Sequence, residues 1–405
     1  MKKGYVEYFG SLIEDLENRN LRRKLKVVEG PSDVEVLVDG VRFLAFCSND
    51  YLGLANHPDI KSSLSEGIKK FGGGSGASHL ISGHNIAHKQ LEAMLERTQA
   101  PFVGDSRALY FSTGYMANLA TICSLTNVGS NNFSVSIFSE ELNHASLIDG
   151  IRLAQQQNKV NVHIYRHNDL EHLEQLLSLD SSDLRLIVTD GVFSMDGDIC
   201  DVPRLLDFSE KYDAMLLVDD ADGFGVIGER GLGVLDYYKI NPLDRGGGRM
   251  IYVGTLGKAA GISGAFVVAS KNIIEWIIQK GRSYIYTTAS PPFISYALMK
   301  SVEIIIENKL QKILKDNIFY FKKIMKFEKW TLLPSDSAIQ PLMIGANKDA
   351  LRIDRELQER RLWIPAIRPP TVPEGTARLR ITLSAAHTKE QIDLLSRALY
   401  ELERK

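Results

Sequence analysis

Between residues 108 and 269, short β-branched and aromatic runs recur at intervals filled by longer amphipathic stretches, and this alternation limits the possible folds more than any other feature. The runs are ALYF (108–111), VSIF (135–138), VHIY (162–165), RLIVT (185–189), MLLV (215–218), MIYVG (250–254) and GAFVVA (264–269). Helical patterns lie between them near 116–126, 145–157, 169–178, 202–211 and 271–280. Strands apolar at nearly every position must be covered on both faces, and strands alternating with helices form βαβ units, so a mostly parallel, doubly covered sheet is expected. Ligands then sit at the carboxyl ends of the strands. From 293 to 327 the pattern predicts one long helical region bridging two domains. The remainder, through ARLRITL (377–383) and a last helix (388–404), predicts a small α+β domain. The expected architecture is thus α/β, with an N-terminal helix and strand segment (1–60), a large domain (61–292), and a linking helix with a small C-terminal domain (293–405).

Charge narrows the partners. Among 405 residues, 48 Lys and Arg nearly balance 50 Asp and Glu, leaving no field to hold nucleic acid or an anionic membrane. A small-molecule substrate is the default. The N-terminal MKKGYVEYFGSLIEDLENRNLRRK scatters acids among its apolar positions and reads as an amphipathic helix rather than a secretory signal. No later run approaches the roughly eighteen apolar residues of a membrane span, so a cytoplasmic protein is expected. Cys47, Cys123 and Cys200 are odd in number and without CxxC spacing, which argues against a disulfide framework and a zinc site and predicts buried thiols.

Several polar residues stand where apolar runs end. Asp219 directly follows MLLV in VDDADGFG. An acid there can cap a helix or form a turn; in an enzyme using pyridoxal 5'-phosphate (PLP) it keeps the pyridine nitrogen protonated, so that the ring can act as an electron sink. Lys258, in GTLGKAAGISG after MIYV, is surrounded by small residues that let a bulky ligand approach. It is either a turn lysine or an imine-forming amine, the latter requiring desolvation or a neighbouring cation. Asp219 and Lys258 are 39 residues apart, each at a strand end, and can converge on one ligand. STGYMANLATI opens a helix at Gly114 and Tyr115, where free amides and the helix dipole favour an anion, if the segment is more than a plain strand-to-helix turn. GGGSGASHLISG (72–83) lacks the Lys-Ser/Thr ending of a phosphate loop and reads as a flexible loop near a site. His144, in SEELNHASLIDG, either caps a helix or lies flat on an aromatic cofactor ring.

Together these segments resemble the α-oxoamine synthase family of PLP enzymes, whose fold is that of aspartate aminotransferase (fold type I). The resemblance runs from FCSNDYLGLANHP (46–58) to the C-terminal domain. IRPPTVPEGTARLRITLSAAH (367–387), YIYTTASPP (284–292) and VFSMDGDICDV (192–202) are most similar to members that join L-alanine to a pimeloyl thioester, carried on coenzyme A or on an acyl carrier protein. The resemblance implies that PLP forms a Schiff base with Lys258 and that Asp219 meets the pyridine nitrogen. It implies that His144 stacks on the ring and meets substrate, and that Gly114, Tyr115 and the Thr255 hydroxyl hold the phosphate. Ser194 would hydrogen-bond near the phenolic oxygen, while Arg22 and Thr371 would contact substrate. Arg380 and Arg368 are candidates for an α-carboxylate. Strand alternation puts Arg378 and Arg380 on one face with Thr382, and a solvated face is the reading preferred for Arg378. The family works as a homodimer in which the segment carrying Thr287 and Thr288 reaches the partner's cofactor phosphate.

Three departures qualify the resemblance. Where the family writes Asp-x-Ala-His, this chain has Asp219-Asp220-Ala221-Asp222, so a carboxylate replaces the histidine that donates toward the phenolic oxygen. At roughly 4 Å and an effective dielectric of about 20, carboxylate and phenolate would repel by about 4 kcal/mol before relaxation, favouring a protonated, displaced or water-bridged Asp222. Asp190 replaces a glutamate, and His79 stands where GSGASR is expected. Two alternatives therefore accompany the alanine–pimeloyl reading: a sister enzyme using glycine or serine with another acyl-CoA, and a weakly active or regulatory homologue.

Overall fold

The computed structural model describes residues 4–19, 21–129, 133–243 and 248–405. Met1–Lys3 and Asn20 of the expected N-terminal helix and strand segment lie outside them. Seven strands form the large sheet: β1 (Ser106–Phe111), β2 (Val135–Glu140), β3 (Asn161–Tyr165), β4 (Leu184–Asp190), β5 (Ala214–Asp219), β6 (Met250–Thr255) and β7 (Ala265–Ser270). Their order is β1-β7-β6-β5-β4-β2-β3. The pairs from β6 to β3 are parallel, and β7 runs antiparallel to both β1 and β6. Each of the seven apolar runs has become one of these strands.

The near-continuous apolar character of the runs has its cause in the packing. Ile187, Leu216, Val218, Tyr252, Phe266 and Val268 enter one core layer, and their chain neighbours Leu186, Val188, Leu217, Ile251, Val253 and Val267 enter the other. Alternate side chains on a strand point to opposite faces, so a sheet covered on both sides needs both sets apolar. Helices start where side chains replace missing partners for first-turn amides. Thr113 Oγ1 accepts from Met116 N (3.2 Å) to open Gly114–Thr126, and Asp201 accepts from Arg204 N (3.2 Å) to open Val202–Lys211.

A second sheet joins the ends of the chain. Strand Glu35–Val38 pairs antiparallel with Val41–Ala45, which pairs parallel with Leu362–Trp363. A third sheet runs Thr331–Leu332, Ile339–Gly345, Ala377–Thr382, Ala366–Ile367, all antiparallel.

Several details differ from expectation. The helical region 293–327 is two helices, Pro292–Glu307 and Lys309–Ile324, separated by Asn308 in a left-handed conformation (φ 57°) that an α-helix cannot continue through. Within the segment read as a loop, His79–Gly83 forms a π-helical turn. Of the three cysteines only Cys200 is buried; Cys47 and Cys123 are half-buried. The N-terminal helix, Tyr5–Asn18, has the expected amphipathic pattern, but buries none of its residues. No helix among the described residues is long and apolar enough to cross a membrane.

Candidate active site

Three strands of the large sheet deliver carboxyl-end groups to one place. Asp190 ends β4 and Asp219 ends β5, and the two are register partners. Lys258 follows β6 by three residues, in the turn held by the Gly261 N to Lys258 O hydrogen bond (2.8 Å). Its ammonium lies 2.8 Å from Asp222 Oδ2. Parallel pairing explains the convergence, because every strand of a βαβ array ends on the same edge.

Asp219 is 5% exposed. Asn118 Nδ2 donates to its Oδ2 (2.6 Å) and Ala221 N to its Oδ1 (3.1 Å). Burial raises its carboxyl above the usual range, against the pull of Asn118, Lys258 and His144. Asn118 also donates to Ser146 Oγ (2.8 Å), which lies 2.7 Å from His144 Nδ1. One relay of hydrogen bonds therefore connects the strand-end acid to the imidazole that begins helix Ala145–Asn158. His144 does cap this helix, since its Nδ1 accepts from Ser146 N (3.2 Å), yet its ring stays exposed. Asp190 Oδ2 accepts from His144 N (2.8 Å) and so fixes the same residue's backbone. Burial first, then Asp219 and Asp222, push the Asp190 carboxyl far above the ordinary range.

Asp222 gathers several partners at once. Besides Lys258 it accepts from Ser194 Oγ (2.9 Å) and from the Tyr51 hydroxyl, and Arg380 Nη2 stands 4.0 Å away. Burial alone would push its carboxyl up, but the Lys258 and Arg380 cations and the hydrogen bonds from Lys258 and Tyr51 bring it down to about 2. Its carboxylate is thus ion-paired with Lys258. Arg380 is held by Ser194 O (2.5 Å), Asn49 Oδ1 (3.1 Å) and Tyr51 Oη (3.4 Å).

Arg378 is a second correction. It is 3% exposed rather than solvated, and its Nη1 pairs with Asp196 Oδ1 at 2.5 Å. The loop carrying Ser194, Met195 and Asp196 covers the face that alternation alone assigns to solvent.

Other expected residues are placed around this network rather than in it. The first amides of helix Gly114–Thr126, at Gly114 and Tyr115, have no carbonyl one turn back to bond. Thr255, at the end of β6, donates its hydroxyl to Gly264 O (3.0 Å). Thr287 is half-buried, and exposed Thr288 bridges to Ser78. Ser283, four residues before Thr287, donates to Met116 O (2.7 Å), which brings this segment to the same helix start. Arg368 is half-buried, and its charge acts on Asp354; Thr371 is exposed, with its N–H on Arg368 O (3.0 Å). Arg22 pairs with Glu17 at 2.7 Å on the exposed N-terminal segment.

The sequence assigned no role to Tyr51, Asn49 or Asn118. Asn118 carried a usable signal, because it follows Gly114 by four residues and so shares its helix face. Tyr51 carried none, being 171 residues from Asp222.

Asp220 serves the scaffold instead. Its Oδ2 accepts from Val234 N (2.6 Å) and Tyr252 Oη (2.8 Å), while Oδ1 is enclosed by Gly191 and Gly223, where an added Cβ would come within 2.8 and 1.9 Å. Burial pushes its carboxyl up to about 8. An unfolded aspartate releases its proton near roughly pH 4, so between these values the folded state holds a proton that the unfolded state does not, and stability falls as pH rises. The expected result is a melting temperature that declines from pH 5 to 8 in the parent and declines less steeply in Asp220→Asn. Parallel pH profiles would overturn the assignment.

The site fits PLP. A buried, underneutralised Asp219 suits a pyridinium, the Lys258 amine suits an aldehyde, and the unbonded amides at Gly114 and Tyr115 suit a phosphate. Fold and site together define a PLP-dependent enzyme of fold type I. The family "Aminotransferase class I and II" matches residues 41–399. The 8-amino-7-oxononanoate synthase of Janthinobacterium sp. (strain Marseille) is 50% identical over 396 residues, covering 96% of each chain. A solved serine palmitoyltransferase variant from S. paucimobilis, with PLP and myriocin bound, superposes with a TM-score of 0.86 at 27% identity, covering 99% of each chain. The 8-amino-7-oxononanoate synthase of Francisella tularensis superposes at 0.72 with 30% identity, covering 89% of this chain and 97% of its own. The chain belongs to the class I and II aminotransferase family and, within it, to the α-oxoamine synthases.

Proposed function

We propose that this enzyme condenses L-alanine with a pimeloyl thioester, pimeloyl-CoA or pimeloyl-acyl carrier protein, to give 8-amino-7-oxononanoate, CO2 and the free thiol, a step of biotin biosynthesis. The observation that carries the proposal is the convergence of Lys258, Asp219 and His144 in a chain half identical, along nearly its whole length, to a synthase of that name. PLP, when bound, supplies an electron sink for the charge left on the alanine α-carbon as its proton, and later its carboxylate, departs. Lys258 Nζ would hold the cofactor and, when free, would take up and return the α-proton. Asp219, fixed by Asn118 and Ala221, keeps a proton on the pyridine nitrogen. His144, held by Ser146, would pack against the ring and offer an acid near the thioester carbonyl. Ser194, hydrogen-bonded to Asp222, would donate near the phenolic oxygen.

The phosphate would be held by the amides of Gly114 and Tyr115, by the Thr255 hydroxyl, and by Thr287 and Thr288 of the second subunit of a homodimer. Between the two candidate arginines, its link to Asp222 favours Arg380 over Arg368 for the alanine carboxylate. Arg22 and Thr371 are assigned to the acyl substrate. Residues 61–292 would form the cofactor domain, between the N-terminal segment 1–60 and the C-terminal part 293–405, in a cytoplasmic protein.

The close superposition with serine palmitoyltransferase favours a second reading, the same chemistry with another amino acid or acyl chain. Purified protein with PLP should be incubated with alanine, glycine or serine, each paired with pimeloyl-, acetyl- or palmitoyl-CoA. Product from alanine and pimeloyl-CoA above all other pairs is expected, and preference for another pair would refute the proposal.

A further inference from the structure

Three imidazoles gather beside the segment that carries Thr287 and Thr288. His79 lies in the π-helical turn, His84 directly follows it, and His88 stands in the first turn of helix Ile86–Val103. One nitrogen from each lies within 4.8 Å of the other two. His79 Nδ1 and His84 Nδ1 are 3.3 Å apart. Two nitrogens bound tetrahedrally to one Zn2+ at roughly 2.0–2.1 Å stand about 3.3–3.4 Å from each other, so this pair already has the spacing of two ligands on one ion.

Two of the rings have beside their second nitrogen a carboxylate or a backbone carbonyl, the partners to which metal-bound histidines commonly donate. His84 Nε2 faces the buried Glu92 Oε2 at 3.8 Å. His88 Nε2 lies 2.8 Å from Ser290 O, which can only accept, so that nitrogen carries the proton and Nδ1 keeps a lone pair. That lone pair receives Asn85 N (2.9 Å), a contact a metal would displace. His79 is 6% exposed, with its ring stacked on Tyr284 (centroids 4.8 Å apart, planes 11° apart), while exposed His84 opens the cluster to solvent. Burial brings His79 down to about 3 and lowers His84 and His88 as well, so all three rings are neutral near pH 7 and free to ligate.

We propose that His79, His84 and His88 form a divalent transition-metal site, bound through their Nδ1 atoms and completed by water on the His84 side. Imidazole ligands select ions such as Zn2+ over Mg2+ or Ca2+. A bound ion would fix the 79–88 region, which touches the 284–290 segment through Tyr284, Ser290 and the Ser78–Thr288 bridge.

The test is a titration of tag-free, PLP-loaded protein with Zn2+ against a chromophoric chelator, together with the visible spectrum of the Co2+ form. One ion per chain and the intense bands of tetrahedral Co2+ are expected. His84→Ala, an exposed change that leaves the fold intact, should weaken binding at least about tenfold, and His79→Arg should abolish it. Absence of stoichiometric binding, or binding unchanged in His84→Ala, would overturn the site and leave the His79–His84 contact as a hydrogen bond alone.

Discussion

Lys258→Ala is expected to eliminate covalent capture of PLP. After borohydride treatment the parent should carry a reduced adduct that maps to Lys258, and the variant should carry none. Turnover should fall by at least about 10²- to 10⁴-fold, since the same amine also moves the α-proton. The variant should still fold, because Lys258 is held by one ion pair and keeps 22% of its side chain exposed. A reduced adduct at another lysine in the parent, or unchanged turnover in the variant, would remove the central assignment.

Asp222→His should produce the second large effect. Asp222 neutralises Lys258 at 2.8 Å and also draws in Tyr51, Ser194 and Arg380. A carboxylate so placed raises the pH at which neighbouring groups release protons, whereas a histidine donor lowers it. The absorbance of the bound cofactor should therefore titrate at lower pH in Asp222→His, by about one unit or more, equivalent to roughly 1.4 kcal/mol or more. Turnover should rise, because the lysine no longer has to leave an ion pair to meet the aldehyde. Superimposable titration curves with equal turnover would show that Asp222 has no influence on the cofactor.

Much of the large sheet was legible because its strands are covered on both faces, so each announces itself as an apolar run without needing its partners. Asp219 and Lys258 were legible for a related reason: a polar residue at the end of such a run must lie at the sheet's edge. What the chain does farther from the run could not be read this way. Arg378 was assigned to solvent by alternation, which records the face but not the 194–196 loop lying over it. The Tyr51–Asp222 contact joins residues from distant parts of the chain and leaves no periodic trace. The break at Asn308 rests on a single left-handed residue inside an otherwise helical pattern. The three histidines were visible as residues, yet only the π-helical turn brings His79 back against His84.

The register pairing of Asp190 with Asp219 has a consequence for the life of the protein outside catalysis. Burial raises both carboxyls, and Lys258 offsets this only in part, so a further cation at that edge would add stability. A cofactor that brings a pyridinium to that edge supplies it, and by mass action the protection grows with the logarithm of free cofactor. Resistance to added protease should then rise with the concentration of free PLP.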